Sequence, residues 1–268
     1  MQPTHNNRIL ILSGTGIFGD PWHPLPQTSA TLQTVLSQPA PSKTEKEIPI
    51  IRQTGPEALK DIAAFDLLVL NISAQPATDN STSISSTITQ AKDFSDGQEM
   101  VNKLVNWANN GGKILAIHQT LLAAEKYPAL KEVIGAKWVT GVSQHPPIGQ
   151  MTLEIPARHT TQTEPANEQI RHQLNPEPET KPIKTFDERY FGLAYEPAIE
   201  PIGYVHAIQT ELADIGLSDR DIKAPAIWLQ TAHGGTTITT TLGHDLRGYH
   251  SKPYQELLKL AANLLLMN

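Results

Sequence analysis

The chain contains no cysteine. That single absence excludes disulfides, thiolate metal sites and a cysteine nucleophile. A basic surplus is also missing: 21 Lys and Arg stand against 27 Asp and Glu, for a formal net charge of −6. No Lys/Arg-rich run occurs, so the phosphate-neutralising stripe of a nucleic-acid binder is absent and no such partner is expected. The longest apolar runs fall far short of the roughly 20 residues needed to cross a bilayer. The polar start, Met1–Asn7, has no basic stretch followed by an apolar core. A cytoplasmic protein without membrane contact is expected on these grounds.

What is present suits one large domain over 1–268, since this length is near the upper size for a single hydrophobic core. Arg8–Ser13, Phe65–Asn71 and Lys113–Ile117 are apolar throughout rather than alternating, which predicts parallel strands buried on both faces. Ile48–Ile51 is a further short strand. Thr28 or Ser29 is placed to cap a helix carrying Leu32, Val35 and Leu36 at helical spacing. Short helices are predicted at Pro56–Ala64 and Gln98–Asn109, and another at Leu121–Ile134 that Pro128 limits or kinks. Gln75–Gln90, full of Ser, Thr and Asn, predicts a surface excursion within a polar insertion at about 75–97. A Pro/Glu/Thr-rich stretch predicts a long loop at about 156–183, between strands at Met151–Ile155 and Tyr204–Ile208. His233-Gly234-Gly235 between Ala226–Gln230 and Thr236–Leu242 reads as a hairpin turn, and Pro253–Met267 as a closing amphipathic helix. Strand and helix alternate first and strands dominate later, which predicts a three-layer α/β/α sandwich on a mostly parallel sheet.

Ligands of open parallel sheets bind beyond the C-terminal ends of the strands. His118 occupies such an end. His23 lies in the proline-stiffened loop Asp20-Pro21-Trp22-His23-Pro24, His145 precedes Pro146-Pro147, and His244-Asp245 follows Gly243 just past a strand. Asp187-Glu188-Arg189-Tyr190 supplies either a general base, hydroxyl acceptor or metal ligand, or simply a solvated strand edge. His5, His159, His172, His206, His233 and His250 have no comparable setting and are expected to be structural or solvated. Gly14-Thr15-Gly16-Ile17-Phe18-Gly19 fits a dinucleotide fingerprint only loosely, with Asp20-Pro21-Trp22 where a helix should open, so a nicotinamide cofactor is not expected.

Taken in order, five motifs resemble the trehalose-utilisation (ThuA-like) family. They are Gly19-Asp20-Pro21-Trp22-His23-Pro24 with Thr28 beyond it, Gly111-Gly112-Lys113-Ile114-Leu115-Ala116-Ile117-His118, and His145-Pro146-Pro147-Ile148-Gly149. Phe186-Asp187-Glu188-Arg189-Tyr190 and Leu242-Gly243-His244-Asp245 complete the set. The resemblance implies a flavodoxin-like sheet of the class I glutamine amidotransferase-like group. It sets His118 near the elbow where amidotransferases carry a nucleophilic Cys. Without that Cys, thioester chemistry is excluded and the chain is not a glutamine amidotransferase. Two departures stand out: Gln119-Thr120 follow the elbow, where small residues are usual, and the turn at His233–Thr237 lacks Lys or Arg.

The resemblance further implies a carbohydrate-metabolism enzyme acting on a sugar or keto-sugar derivative. His118, Glu188 and His145 are the expected acid/base groups. His23, Trp22, Gln119, Asp187, Tyr190, His244 and Asp245 are the expected substrate binders, with Trp22 or Tyr190 stacking on a sugar ring and Asp245 orienting His244. Neutral imidazoles suit zinc or another divalent metal, so His23, His118 and His145 form an optional metal set. The alternative is a non-catalytic sugar- or metal-binding protein that kept the fold and lost the chemistry. A homo-oligomer is compatible with either.

Overall fold

The computed structural model describes residues 7–38, 50–74, 84–156, 173–174, 179–208, 216, 223–232 and 234–267. Its first strand, β1 (Arg8–Ser13), is buried along all but its first residue, because its neighbours cover both faces. Ile9 and Ile11 point into one core, Leu10 and Leu12 into the other, as the alternation of side chains along a strand requires. Each such fully buried aliphatic side chain contributes about 1.5–3 kcal/mol. The same two-sided burial explains the unbroken apolar runs of β3 (Leu67–Asn71) and β4 (Lys113–Ile117).

With β2 (Ile50–Thr54) and β11 (Gly235–Thr240), these strands form the parallel half of a nine-stranded sheet ordered β2-β1-β3-β4-β11-β10-β9-β6-β7. The remaining strands are antiparallel: β10 (Lys223–Ala232), β9 (Glu200–His206), β6 (Gly149–Ile155) and β7 (Lys181–Asp187). A mostly parallel sheet was the expectation, and the sheet is mixed. The cause lies in its second half, where hairpins replace helical crossovers. Two short strands, β5 (Ala136–Lys137) and β8 (Ala194–Tyr195), pair outside the main sheet.

Helices cover both faces. α1 (Leu25–Leu36) and α5 (Lys252–Met267) pack on one core through Leu32, Leu36, Leu257, Leu258 and Leu264. α2 (Ile84–Asn109), α3 (Thr120–Lys126) and α4 (Pro128–Ile134) pack on the other through Val101, Leu104, Leu121 and Leu130. The helix expected over Leu121–Ile134 is thus two helices. The chain leaves helical angles at Tyr127 (φ −120°), and Pro128 opens the second.

Three further expectations shift. α1 starts at Leu25 after Pro24, so Thr28 and Ser29 lie inside the helix rather than capping it. Both are buried, and their hydroxyls accept from Asn71 Nδ2 at 2.9 and 2.8 Å, which ties α1 to the end of β3. The expected polar excursion reaches into α2, which begins at Ile84, while 75–83 fall outside the described residues. Likewise β7 starts at Lys181, inside the stretch expected to be loop, of which 157–172 and 175–178 are outside the described residues.

Candidate active site

Register places four strand exits side by side. Ser13 pairs with Asn71, Ile117 with Thr240, and His118 N–H donates to the Thr240 carbonyl at 2.8 Å. The loops leaving β1, β3, β4 and β11 therefore rise from one edge and carry His23, Ser73, His118 and His244 to a common point. The ring centroids of His23 and His118 are 5.2 Å apart, those of His23 and His244 4.5 Å, and those of His118 and His244 5.6 Å. β6 is registered to β9 only at Glu154↔Tyr204, so the β6–β7 ribbon can diverge from the sheet. Its end brings Asp187-Glu188-Arg189-Tyr190 to the same point.

Glu188 is the hub. Its Oε2 lies 3.6 Å from His118 Nε2, and its Oε1 lies 3.3 Å from His244 Nε2 and 3.4 Å from His145 Nδ1. The sequence left open a solvated strand edge for this segment. The structure rules that out, since Asp187, Glu188, Arg189 and Tyr190 are all buried. Arg189 turns away from the cluster and donates to the His206 carbonyl at 2.9 Å.

His118 is held by its backbone and both ring nitrogens. Its φ of +37° is the left-handed region, the only such value at a non-glycine position among the described residues. Nδ1 lies 2.6 Å from the Thr241 carbonyl, which can only accept, so Nδ1 carries the proton. Nε2 then presents a lone pair and accepts from the Tyr190 hydroxyl at 2.9 Å. Burial holds the His118 pKa well below the ordinary imidazole value. The neighbouring His23, His244 and His145 push the same way, and only the Thr241 carbonyl opposes them. Burial likewise raises Tyr190 well above the ordinary phenol value, with the charge of Glu188 adding to it. The pair is therefore neutral at physiological pH.

Asp187 shapes the floor. Its carboxylate accepts from the backbone N–H groups of Glu188 (2.9 Å), Gly243 (2.8 Å) and His244 (3.2 Å). Burial pushes its pKa up to about 7 against these donors. Gly243 sits at φ +126°, and a Cβ there would meet Ile117 Cγ2 at 2.7 Å and the Tyr249 hydroxyl at 2.8 Å, so a side chain is excluded by both angle and space.

His23 is braced from below. Asp20 Oδ1 lies 3.1 Å from its Nδ1 and also accepts from the Trp22 N–H at 2.7 Å, while Oδ2 accepts from the Ser73 hydroxyl at 2.9 Å. Burial alone would raise the Asp20 pKa, but the bond to His23 and the Trp22 N–H outweigh it and bring it below the usual carboxylate value. Gln119 Nε2 lies 2.8 Å from both ring nitrogens of His23.

His23, His118, His145, His244, Gln119, Asp187, Glu188 and Tyr190 are thus brought together, while Trp22 and Asp245 are not part of the cluster's hydrogen bonding. Trp22 is 78% exposed. Asp245 commits its carboxylate to Arg247, accepting from Nε at 2.9 Å and from the backbone N–H at 2.8 Å, and lies 3.5 Å from His244 Nδ1. That nitrogen has no hydrogen bond among the described residues, but the Asp245 carboxylate faces it as an ion partner and works against the burial that lowers the His244 pKa. Of the remaining histidines, His206 pairs with Glu154 at 2.9 Å and His250 is exposed, while His5, His159, His172 and His233 lie outside the described residues. For a metal, one donor atom each from His23, His118 and Glu188 lies within 4.8 Å of the others. The sequence offered His145 as the third ligand and Glu188 as base or ligand; the close group contains Glu188, whose other oxygen lies 3.4 Å from His145 Nδ1.

Sequence reasoning passed over Asp20, Ser73, Thr241 and Trp138. Trp138 packs edge-on to Tyr190 (4.9 Å between centroids) and 6.0 Å from His145, forming an aromatic wall. Asp20 was signalled only by standing three residues before a histidine in a rigid loop. Thr241 acts through its carbonyl, which leaves no trace in residue type.

The sequence matches no protein-family model and none of the curated proteins. Among solved structures it is similar to a ThuA-like protein from Parabacteroides merdae, at TM-score 0.65 and 13% identity over 98% of this chain and 90% of that one. A ThuA-like protein from Bacteroides uniformis aligns at TM-score 0.58 and 12% identity, over 97% and 91% of the two chains. A cytoplasmic protein from Salmonella typhimurium aligns at TM-score 0.51 and 11% identity, over 96% and 99%. The chain shares its fold with these proteins along nearly its whole length.

Proposed function

We propose that this chain is a ThuA-like enzyme acting on a sugar or keto-sugar derivative by acid/base chemistry at Glu188 and the imidazoles around it. The observation that carries the reading is a buried carboxylate faced by three imidazoles, with His118 and Tyr190 both kept neutral beside it. A carboxylate facing several imidazoles can pass a proton along the cluster, and a lone-pair Nε2 next to a phenol can accept one from a substrate hydroxyl. His145, 38% exposed at its side chain, is the member nearest solvent and the route by which protons leave. Gln119 and Asp187 line the floor, and Trp138 offers a face for a sugar ring. The flavodoxin-like sheet of the class I amidotransferase group belongs to the same proposal. It is supported by the parallel half of the sheet and by the left-handed backbone at His118. So does a cytoplasmic setting; no helix among the described residues is long and apolar enough to cross a membrane.

The test is turnover of a panel of keto-sugars and disaccharides by the wild type, His118→Ala and Glu188→Gln. Loss of roughly 10²–10⁴-fold in either variant supports the reading, the range expected for removing an acid/base group. Turnover equal to wild type in both variants sinks it. A non-catalytic sugar binder is the second reading, favoured by the Gln119 amide that covers both nitrogens of His23. It predicts sugar binding without turnover in the wild type.

A further inference from the structure

We infer that His23, His118 and Glu188 form a divalent-metal site of the zinc class, with Asp20 and Thr241 as the positioning groups behind the two imidazoles. The inference rests on the reading that this cluster is the functional pocket, and it names the cofactor of that pocket. Its first support is the donor set. Two neutral imidazoles and one carboxylate, with a position left for water or substrate, is a set that catalytic zinc uses. The donor atoms lie within 4.8 Å of one another, and tetrahedral ligands at zinc–ligand distances near 2.1 Å stand about 3.4 Å apart. His118 Nε2 and Glu188 Oε2, at 3.6 Å, already have that spacing. His23 stands within 4.8 Å of both, on a loop.

The second support is independent of spacing. Metal-binding imidazoles donate their other N–H to a carbonyl or carboxylate, which fixes the tautomer and aims the lone pair. Both histidines do so. The Thr241 carbonyl takes the His118 Nδ1 proton at 2.6 Å, and Asp20, itself bonded by Ser73 and the Trp22 N–H, faces His23 Nδ1 at 3.1 Å. Each is left with Nε2 as its lone pair, faced at present by the Tyr190 hydroxyl on His118 and by the Gln119 amide on His23. Glu188 divides its two oxygens, Oε2 toward His118 and Oε1 toward His145 and His244. A metal held through Oε2 therefore leaves Oε1 and those two imidazoles to handle protons. When bound, such an ion would polarise a carbonyl or hydroxyl oxygen of the substrate.

The Tyr190 hydroxyl now occupies His118 Nε2 at 2.9 Å and the Gln119 amide nitrogen lies 2.8 Å from His23 Nε2, and both must leave for an ion to bind. Tyr190→Phe should therefore bind metal at least as tightly as the wild type, whereas a merely structural role for Tyr190 gives no such gain. The experiment strips the full chain with a chelator and titrates Zn²⁺ by calorimetry and Co²⁺ by visible absorption, with far-UV circular dichroism to show that each variant is folded. One equivalent is expected in the wild type. His23→Asn and Glu188→Gln should each lose at least 100-fold in affinity, and Asp20→Asn about 10–100-fold, as outer partners of metal ligands do. His206→Ala, which removes the surface pair with Glu154, should bind like the wild type.

No uptake by the wild type overturns the site. So does uptake that survives both His23→Asn and Glu188→Gln, or that vanishes in His206→Ala. The functional reading is separated by the turnover panel. Stoichiometric zinc without turnover of any sugar supports the metal site and refutes the activity. Turnover that dies in His118→Ala in a protein that takes up no metal does the reverse.

Discussion

His118 Nδ1 donates to the carbonyl of Thr241 at 2.6 Å, binding the exit of β4 to the exit of β11 across 123 positions of sequence. A ring so buried stays neutral when the same ring in the unfolded chain would already be charged. Its folded pKa lies below the ordinary 6.5, so below that value the unfolded chain takes up a proton that the folded protein refuses. The stability it contributes is thus complete above about pH 6.5 and is lost as pH falls, at up to about 1.4 kcal/mol per unit. Urea unfolding of chelator-stripped protein at pH 7.5, 6.5 and 5.5 should show this loss set against an opposing gain from Asp187, whose pKa is pushed up to about 7 and which binds a proton in the folded protein over the same range. The His118→Asn variant should show a shallower loss. His244, also lowered by burial, contributes a residual slope of the same sign. Parallel slopes for wild type and variant would refute a buried neutral His118.

Gly243→Ala should cost about 3 kcal/mol, from a left-handed angle that alanine dislikes and a methyl group driven into Ile117 and Tyr249. In a chain of this size that is a fall of roughly 6–12 °C in Tm by calorimetry. A fall under about 2 °C would mean the strand exit is not this tight.

Asp187→Ala and Asp187→Asn should separate. Alanine leaves the buried N–H groups of Gly243 and Glu188 without an acceptor, at about 1–3 kcal/mol each. Asparagine keeps one carbonyl oxygen for them and should cost about half as much. Equal destabilisation in chemical denaturation would remove Asp187 from its role as anchor of the two loops.

If the substrate is a sugar, as proposed, two tryptophans are candidates for its stacking face. Trp138 is packed against Tyr190 and His145, whereas the Trp22 ring stands in solvent. A fixed aromatic loses less entropy on binding. Trp138→Ala should raise KM about 5–10-fold with kcat little changed, and Trp22→Ala should change KM less than about twofold. The opposite ranking would move the platform to the entrance loop.

How far the sequence could be read depended on whether a residue's role shows in its type. β1 and β4 were legible to the residue because burial on both faces leaves an unbroken apolar run. The hairpin of β10 and β11 was legible from its glycines. β7 was not, since KPIKTFD alternates and its inward positions include Thr185 and Asp187, which look like surface. Thr185 donates to the Gly248 carbonyl and Asp187 holds two loops, so the inward face is polar by purpose. Thr28 and Ser29 misled for a related reason: their partner, Asn71, is more than forty residues away. The four pocket histidines were visible from their places at strand ends and in stiffened loops. That Glu188 groups with His23 and His118 was not legible from spacing along the chain, because the three come from elements far apart in sequence.

The backbone at residue 118 carries one last consequence. A left-handed φ at a non-glycine residue costs on the order of 1 kcal/mol or more, and glycine would remove that cost. Glycine would also forfeit the bond to the Thr241 carbonyl and leave the Tyr190 hydroxyl without its imidazole, at about 1–3 kcal/mol for each buried group left unpaired. The strained backbone is therefore held in place by the two bonds of its own ring, and a residue that could not make them would let the exit of β4 relax.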